Sequence, residues 1–246
     1  KQKKKKNYVY SISKNSQKKK RKIKGVKYIN CDIYKKNLLY KKLKPSNFDY
    51  VVNLGGNIDH TNKSRTIKSH FFGCKNLVDY FKNENIKLFI QIGSSLEYGK
   101  KKSPHYESLN CNPNAYYGMS KLKSTKYIFK SDKKKSFPFI VLRLYQVYGP
   151  NQSRNRLIPI VISSCLKNKK FDCSTGKQVR DFLYIDDLID LLNKIKKGFP
   201  QFGKIKLRKD EIIKYYPNLN KVKKSFNWKA QTSLNSGIVK TINFYK

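Results

Sequence analysis

Short apolar runs alternate along the chain with longer stretches in which apolar residues recur every three or four positions. This alternation is typical of β-α-β units that build a parallel sheet. Because strands covered on both faces are apolar through their middle, we predict strands at 8–12, 26–30, 50–54, 88–92 and 139–144. Helices are predicted at 34–43, 64–82, 115–129, 157–167 and 185–197, before a less regular tail. The pattern indicates an α/β fold around a doubly wound parallel sheet.

The net charge of +41 first suggests a protein that binds nucleic acid. The basic residues are 49 lysines and seven arginines, however, and the lysines are scattered along the chain. Proteins that bind the phosphates and bases of nucleic acids favour arginine and cluster their positive charge on one face or tail. The excess of Lys, Asn, Ile and Tyr is typical of an A/T-rich coding sequence, so we expect no nucleic-acid partner. The lysine runs at 3–6, 18–20 and 133–135 are predicted to be solvated turns.

Neither a disulfide framework nor a metal site is indicated. The five cysteines are odd in number and include no C-x-x-C pair, as expected for a reducing compartment. His60, His70 and His105 are isolated, and we assign them no metal or catalytic role. Since no apolar stretch approaches the ~20 residues that cross a bilayer, we expect a cytoplasmic protein without a membrane partner.

A tyrosine and a lysine four residues apart form the pattern with the most chemical content. With 18 tyrosines among so many lysines, chance alone supplies about 3.6 such pairs, so the pattern needs a structural context. Four pairs occur, at residues 10/14, 40/44, 98/102 and 117/121. Only Tyr117 and Lys121 lie on a predicted helix that follows an apolar strand ending in a serine, Ser94.

These three side chains have complementary chemistry. Ligands bind at the carboxyl ends of strands in a doubly wound sheet, where Ser94 lies. Lys121 is one helical turn from Tyr117, and its ammonium would lower the pKa of the phenol from its usual ~10. Tyr117 could then exchange a proton with a substrate oxygen that Ser94 binds. Alternatively, Tyr117 packs in the core, Lys121 is a surface lysine and Ser94 caps a turn; the spacing alone leaves this open.

Longer strings surround these residues in a fixed order: VVNLGG (51–56), IGSSLEYG (92–99), NAYYGMSK (114–121), VLRLYQVYGPNQ (141–152) and VRDFLYIDDL (179–188). Over residues 8–195 the chain thereby resembles extended short-chain dehydrogenases/reductases of the NAD-dependent epimerase/dehydratase family. The resemblance implies a Rossmann-like doubly wound parallel sheet with a smaller C-terminal substrate-binding region. It also implies a NAD or NADP cofactor, a nucleotide-diphosphate sugar as substrate, and a homodimer formed through the helices at 64–82 and 115–129.

Residue roles follow from the same resemblance. Ser94, Tyr117 and Lys121 match the catalytic residues. The positions that match cofactor contacts, besides Tyr117 and Lys121, are Asp32, Ile33, Leu54, Gly55, Gly56, Tyr145 and Val147. The positions assigned to the substrate are Ser94, Ser95, Gln146, Arg156 and Arg180. A guanidinium also suits phosphate oxygens on its own chemistry, although Arg180 could instead pair with Asp181 or Asp186.

The chain departs from the family pattern in two places. The family's first strand and its glycine-rich turn, which approaches the cofactor pyrophosphate at a helix N-terminus, have no counterpart, so we expect a segment to be missing ahead of Lys1. The strand at 8–12 then matches the second strand, and Ser13 and Lys14 would meet the adenosine ribose, which favours NADP. A strand and a helix, roughly thirty residues, are expected to be missing near 198–203. We assign residues 1–152 to the cofactor and 153–246 to the substrate, with 179–197 returning to the first region.

The reaction is predicted from the residues that follow Ser94. In related sugar 4,6-dehydratases, acidic residues follow the catalytic serine or threonine directly, whereas here Ser95 and Leu96 follow and Glu97 falls one place late. We therefore predict epimerisation at sugar C4 through a keto intermediate. The alternatives are an NADP-dependent 4-ketoreductase and a truncated, inactive relative that acts as a basic binding module.

Overall fold

The structure is a computed structural model that describes residues 8–17, 22–43, 47–57, 60–135, 137–173, 175–195 and 214–245. The chain divides into two compact units. The first comprises Lys1–Gly93 and Asn114–Leu142, and the second comprises Ser94–Pro113 and Arg143–Lys246. This grouping differs from the division at residue 152, which concerns cofactor and substrate binding and stays a prediction.

Parallel strands form the centre of the first unit. They are β1 (Val9–Ser13), β2 (Val26–Asn30), β3 (Tyr50–Asn53), β4 (Leu88–Ile92) and β5 (Phe139–Leu142), so the five predicted strands are confirmed to within two residues at each end. β1 pairs with β2, and β4 lies between β3 and β5. Among the described residues no hydrogen-bond ladder joins β1 to β3.

Helices pack on these strands through apolar stripes. They are α1 (Lys36–Leu43), α2 (Lys63–Ile67), a π-helical turn (Lys68–Phe72), α3 (Gly73–Phe81) and α4 (Tyr116–Lys135). The helix predicted at 64–82 is thus interrupted by a π-helical turn, a feature frequent at functional sites. Leu39, Val78, Phe89 and Ile128 are completely buried in one apolar core. Each such side chain contributes about 1.5–3 kcal/mol by leaving water.

The second unit combines short strands with helices. Its elements are a 3₁₀ turn (Ser95–Tyr98), β6 (Gln146–Tyr148), α5 (Leu157–Leu166), β7 (Val179–Arg180), β8 (Phe182–Tyr184), α6 (Ile185–Lys194), β9 (Lys214–Tyr215), α7 (Asn220–Phe226) and α8 (Leu234–Tyr245). β6 pairs with β8 and β7 with β9, both parallel. The tail is anchored to α6, because Trp228 donates to the Asp190 carboxylate at 2.9 Å and Asp187 accepts a hydrogen bond from the Thr232 hydroxyl.

One local prediction was wrong. The lysine run at 133–135 continues α4 instead of forming a turn, because lysine is a good helix former and nothing after Phe129 stops the helix. The runs at 3–6 and 18–20, the predicted helix end at 197 and the shortening near 198–203 lie outside the described residues. Within those residues, no helix combines the length and apolarity that crossing a membrane requires.

Asp79 of α3 ties two helices together. Its carboxylate accepts hydrogen bonds from Lys75, Lys82 and the hydroxyl of Tyr127 on α4. Burial alone would raise the pKa of Asp79, but these three donors outweigh it and lower the pKa to about 2.

We expect Asp79→Asn to destabilise the fold by about 2 kcal/mol at neutral pH, since a pKa shift of one unit corresponds to about 1.4 kcal/mol. Because the pKa is lowered in the folded state, this contribution is present above pH ~4 and disappears as the pH falls towards 2. Urea unfolding between neutral and acid pH measures both effects. Asp49→Asn is the matched control, because Asp49 and its partner Lys87 are well exposed. Equal losses of unfolding free energy in Asp79→Asn and Asp49→Asn would contradict the stabilising role of the Asp79 hydrogen bonds.

Candidate functional site

Helix α4 places Tyr117 and Lys121 beside the end of β4. Lys121 is only 5% exposed, and its ammonium Nζ donates to the Ile92 carbonyl at 2.7 Å. The same Nζ lies 5.8 Å from the centre of the Tyr117 ring. Among the described residues Lys121 is the only buried lysine, whereas Lys14 and Lys102, from two of the other tyrosine–lysine pairs, are exposed. Lys121 is therefore not one more surface lysine.

Two histidines contact the ring of Tyr117. The ring of His60 stacks on it with centres 4.0 Å apart and planes 17° apart. His70 meets it edge-on, with centres 4.9 Å apart and planes 83° apart. The two histidine rings also contact each other, with centres 5.6 Å apart. Tyr117 thus packs against aromatic side chains from a loop and from the π-helical turn.

His70 is fixed by its surroundings. It is 5% exposed, and its Nε2 lies 3.0 Å from the carbonyl oxygen of Asn57. Since a carbonyl only accepts, Nε2 carries the proton and donates. The His70 backbone carbonyl accepts a hydrogen bond from Ser124 of α4. Burial, reinforced by the charge of Lys121, lowers the pKa of His70 to about 4, so the ring is neutral at physiological pH.

The glycines after β3 are required by this packing. A Cβ on Gly56 would lie 2.0 Å from Cε1 of His70, and a Cβ on Gly55 would lie 2.6 Å from a methyl carbon of Ile33. Leu54, by contrast, is 72% exposed. The glycines therefore let His70 and Ile33 approach the backbone. This packing explains the two glycines without a cofactor, and it is also compatible with the expected cofactor contact.

The carboxyl ends of β1 and β2 bring together a second group of polar residues. Lys14 Nζ lies 3.5 Å from the Asp32 carboxylate, which also accepts from the Tyr34 N–H. The Ser13 hydroxyl donates to the Asn15 carbonyl. Asn76 of α3 donates to the carbonyls of both Ile33 and Tyr34 and holds this loop against the helix.

A cofactor of the predicted kind matches the polar groups of the first unit in part. A carboxylate and an ammonium at the ends of β1 and β2 suit a ribose with or without a 2′-phosphate. A phenol beside a buried ammonium suits the ribose at the reacting end. No glycine-rich turn precedes β1 in this sequence, so the described residues include no cradle of backbone N–H groups for the pyrophosphate.

In the second unit, a closed network of hydrogen bonds surrounds Ser94. Its hydroxyl accepts from the Leu96 N–H at 3.2 Å, and its N–H donates to the Glu97 carboxylate at 2.9 Å, which forms a capping box. Glu97 is fully buried and pairs with Arg143 at 3.0 Å. Burial disfavours the charge on Arg143, but Glu97 outweighs it and raises the pKa of the guanidinium.

The neighbours of Ser94 are also buried. Ser95 is 5% exposed, and its N–H donates to the Leu144 carbonyl. The hydroxyl of Tyr145 lies 2.6 Å from Nδ1 of His105, a histidine whose pKa is lowered by burial. Sequence reasoning did not identify His105 as a partner of Tyr145.

The remaining predicted substrate residues are accessible. Gln146 and Arg156 are exposed, whereas Val147, which is assigned to the cofactor, is half-buried. Arg180 lies in β7 with its guanidinium donating to the Val179 carbonyl and to the Gln178 side chain. These bonds leave the guanidinium at the surface, where an anionic ligand can reach it.

The predicted site residues are therefore divided between the two units. Tyr117 and Lys121 lie with Gly56 in the first unit, and the adenosine-end group (Ser13, Lys14, Asp32) follows β1 and β2 there. Ser94, Ser95, Tyr145, Val147 and the predicted substrate residues belong to the second unit. Sequence reasoning missed His60, His70, Glu97 and Arg143; the one available signal was that Glu97 stands three residues after Ser94, the spacing of a capping box.

Comparisons with known proteins give a consistent result. The model of the NAD dependent epimerase/dehydratase family matches residues 2–197. The dTDP-D-glucose 4,6-dehydratase of Dictyostelium discoideum is 29% identical over 196 residues, which are 70% of this chain and 45% of that protein. The chain thus spans about half the length of the curated relatives it matches.

Solved structures show the same fold. UDP-glucose 4-epimerase of Thermotoga maritima, solved with UDP-glucose, superposes with a TM-score of 0.80 at 19% identity, over 96% of this chain and 90% of that one. UDP-glucuronic acid 4-epimerase of Bacillus cereus, solved with UDP-glucuronic acid and NAD, gives 0.76 at 22% identity, over 90% and 82%. The predicted Rossmann-like α/β fold is confirmed.

Proposed function

Because the chain belongs to the NAD dependent epimerase/dehydratase family, we propose that its protein interconverts nucleotide-diphosphate sugars that differ in configuration at C4. The reaction passes through a 4-keto sugar and uses NAD or NADP. Solved structures with this fold include 4-epimerases that hold UDP-sugars, and one of them holds NAD. Their likeness supports the fold, and the activity is our proposal.

The observation that carries this proposal is the buried ammonium of Lys121 next to Tyr117. Burial of a lysine is costly unless its charge is used or compensated. Here Nζ is held by the Ile92 carbonyl within reach of the Tyr117 ring. A fixed positive charge favours the phenolate form of Tyr117, as a base at neutral pH requires.

The chain's residues then have distinct tasks. Tyr117 removes the proton of the C4 hydroxyl and returns it after the keto sugar has been reduced on its other face. Ser94 donates a hydrogen bond to the same oxygen, and Lys121 keeps the phenol acidic. A bound nicotinamide would supply the acceptor and donor for the hydride at C4.

The other predicted site residues are assigned to binding of the cofactor and of the sugar nucleotide. Asp32, Ile33, Ser13 and Lys14 hold the adenosine end of the cofactor, and Leu54, Gly55, Gly56, Tyr145 and Val147 line its reacting half. Arg180 binds the diphosphate of the sugar nucleotide with help from Ser95, Gln146 and Arg156. Two copies of the protein associate through the helical segment at 64–82, which comprises α2, the π-helical turn and α3, and through the part of α4 at 115–129. The exposed ammonium of Lys14 favours a 2′-phosphate, and hence NADP.

Glu97 argues against the dehydratase reaction of the Dictyostelium relative. Loss of water from a sugar needs acidic side chains that deliver and remove protons. Glu97 is fully buried, and both of its carboxylate oxygens are engaged, one by the Ser94 N–H and the other by Arg143. It is thus committed to the structure around Ser94.

The redox state of the cofactor distinguishes the epimerase from the runner-up. With a panel of UDP-, dTDP- and CDP-hexoses, we expect the C4 epimer to accumulate while absorbance and fluorescence show no net formation or loss of reduced cofactor. Stoichiometric consumption of NADPH with a 4-keto sugar would instead establish a 4-ketoreductase. Steeply salt-dependent DNA binding without any cofactor binding would identify an inactive basic module.

A further inference from the structure

Tyr117 has two histidine rings as neighbours, and the proposed proton exchange between the phenol and a substrate does not by itself require them. His60 covers one face of the ring and His70 meets its edge. We call these two histidines the aromatic clamp. Neither was expected to have a role, because both are isolated in the sequence.

We propose that the aromatic clamp positions Tyr117: His60 and His70 hold its ring in one orientation and so fix the direction of the phenol oxygen that exchanges the proton. This inference rests on the proposed function of Tyr117. The two histidines are positioning residues, since they act through the tyrosine.

His70 forms the rigid side of the clamp. Its ring is held by the Asn57 carbonyl, its backbone carbonyl is held by Ser124, and the missing side chain of Gly56 admits it to the backbone. Its Nδ1 has no hydrogen-bond partner among the described residues and is buried. A core position chosen only for packing would favour an apolar ring here, because a buried acceptor without a partner is costly.

The neutrality of His70 suits this role. A cationic His70 would repel Lys121, which lies in its environment and lowers its pKa. A neutral ring contacts Tyr117 without competing with the ammonium for the phenol. His60 completes the clamp with a stacked contact on one face of the ring, and such ring pairs prefer defined geometries.

The test uses two variants of the half-buried His60, with His70 left in place. We expect His60→Ala to lower kcat about tenfold or more through misplacement of the phenol, while KM for the sugar nucleotide changes less than about twofold and thermal stability is largely kept. His60→Phe restores the stacked ring and should recover most of kcat. An unchanged kcat in His60→Ala, or no rescue by His60→Phe, would overturn the inference.

A second readout does not require turnover. 3-Fluorotyrosine at Tyr117, assigned with a Tyr117→Phe sample, should give separate fluorine NMR signals for the two ring orientations, because the clamp slows ring rotation. We expect these signals to merge in His60→Ala and to stay separate in His60→Phe. Identical spectra in all three proteins would contradict a clamp. If Tyr117→Phe retains activity, the proposed function fails, whatever the state of the clamp.

Discussion

Tyr117→Phe should lower kcat about 10³-fold while the fold is preserved. The substitution removes only the phenol oxygen, so His60 and His70 keep their contacts with the ring. General acid–base catalysis by a positioned side chain typically contributes 10²–10⁴-fold. Steady-state rates of C4 epimerisation, together with circular dichroism to verify folding, measure the effect.

Tyr116→Phe is the matched control for this variant. Tyr116 is the neighbouring tyrosine of the same helix, it is 44% exposed, and its ring contacts Lys63. We expect it to retain nearly full activity. Comparable activity of Tyr117→Phe and Tyr116→Phe would show that the phenol of Tyr117 has no role in the reaction.

The largest expected effect on stability comes from Arg143→Met. Its side chain pairs with the fully buried carboxylate of Glu97 and lies against the ring of Tyr98. Removing one partner of a buried ion pair leaves the other charge uncompensated, which typically costs about 3–5 kcal/mol. We therefore expect a loss of this size in urea unfolding at neutral pH.

Two further variants test whether the loss of stability in Arg143→Met arises from the ion pair with Glu97. Arg156→Met changes an exposed arginine and should leave stability unchanged. The double variant Glu97→Gln/Arg143→Met removes both charges and should recover part of the loss, because no uncompensated buried charge remains. A loss for Arg143→Met no larger than that for Arg156→Met would contradict the structural role of the pair.

The strands were predictable because each is a short apolar run that must be covered on both faces. Leu88–Ile92, for example, is buried along nearly its whole length, and the sequence shows this directly. The π-helical turn at Lys68–Phe72 was not predictable, because the apolar residues keep the same spacing through it. The continuation of α4 through residues 133–135 was not predictable either, because a run of lysines is compatible with both a helix and a turn.

Although the catalytic roles of Tyr117, Lys121 and Ser94 stay a prediction, the closeness of Lys121 to Tyr117 was predictable from their four-residue spacing on one helix. Their surroundings were not. His60 and His70 meet Tyr117 only through the fold, across a separation of more than forty residues, and nothing in their local sequence marks them. Arg143 similarly meets Glu97 only after β4 and β5 pair side by side, which brings the residues that follow each strand together.

Transfer of a labelled hydride tests the central claim most directly. A nucleotide-diphosphate sugar carrying deuterium at C4 is incubated with the protein and oxidised cofactor, and both C4 epimers are analysed by NMR and mass spectrometry. An epimerase that takes the hydride from C4 and returns it to the same sugar predicts full retention of deuterium at C4 in the substrate and in its epimer. Formation of the epimer with loss of deuterium to solvent, or formation of a 4-keto product with accumulated reduced cofactor, would contradict the proposed reaction.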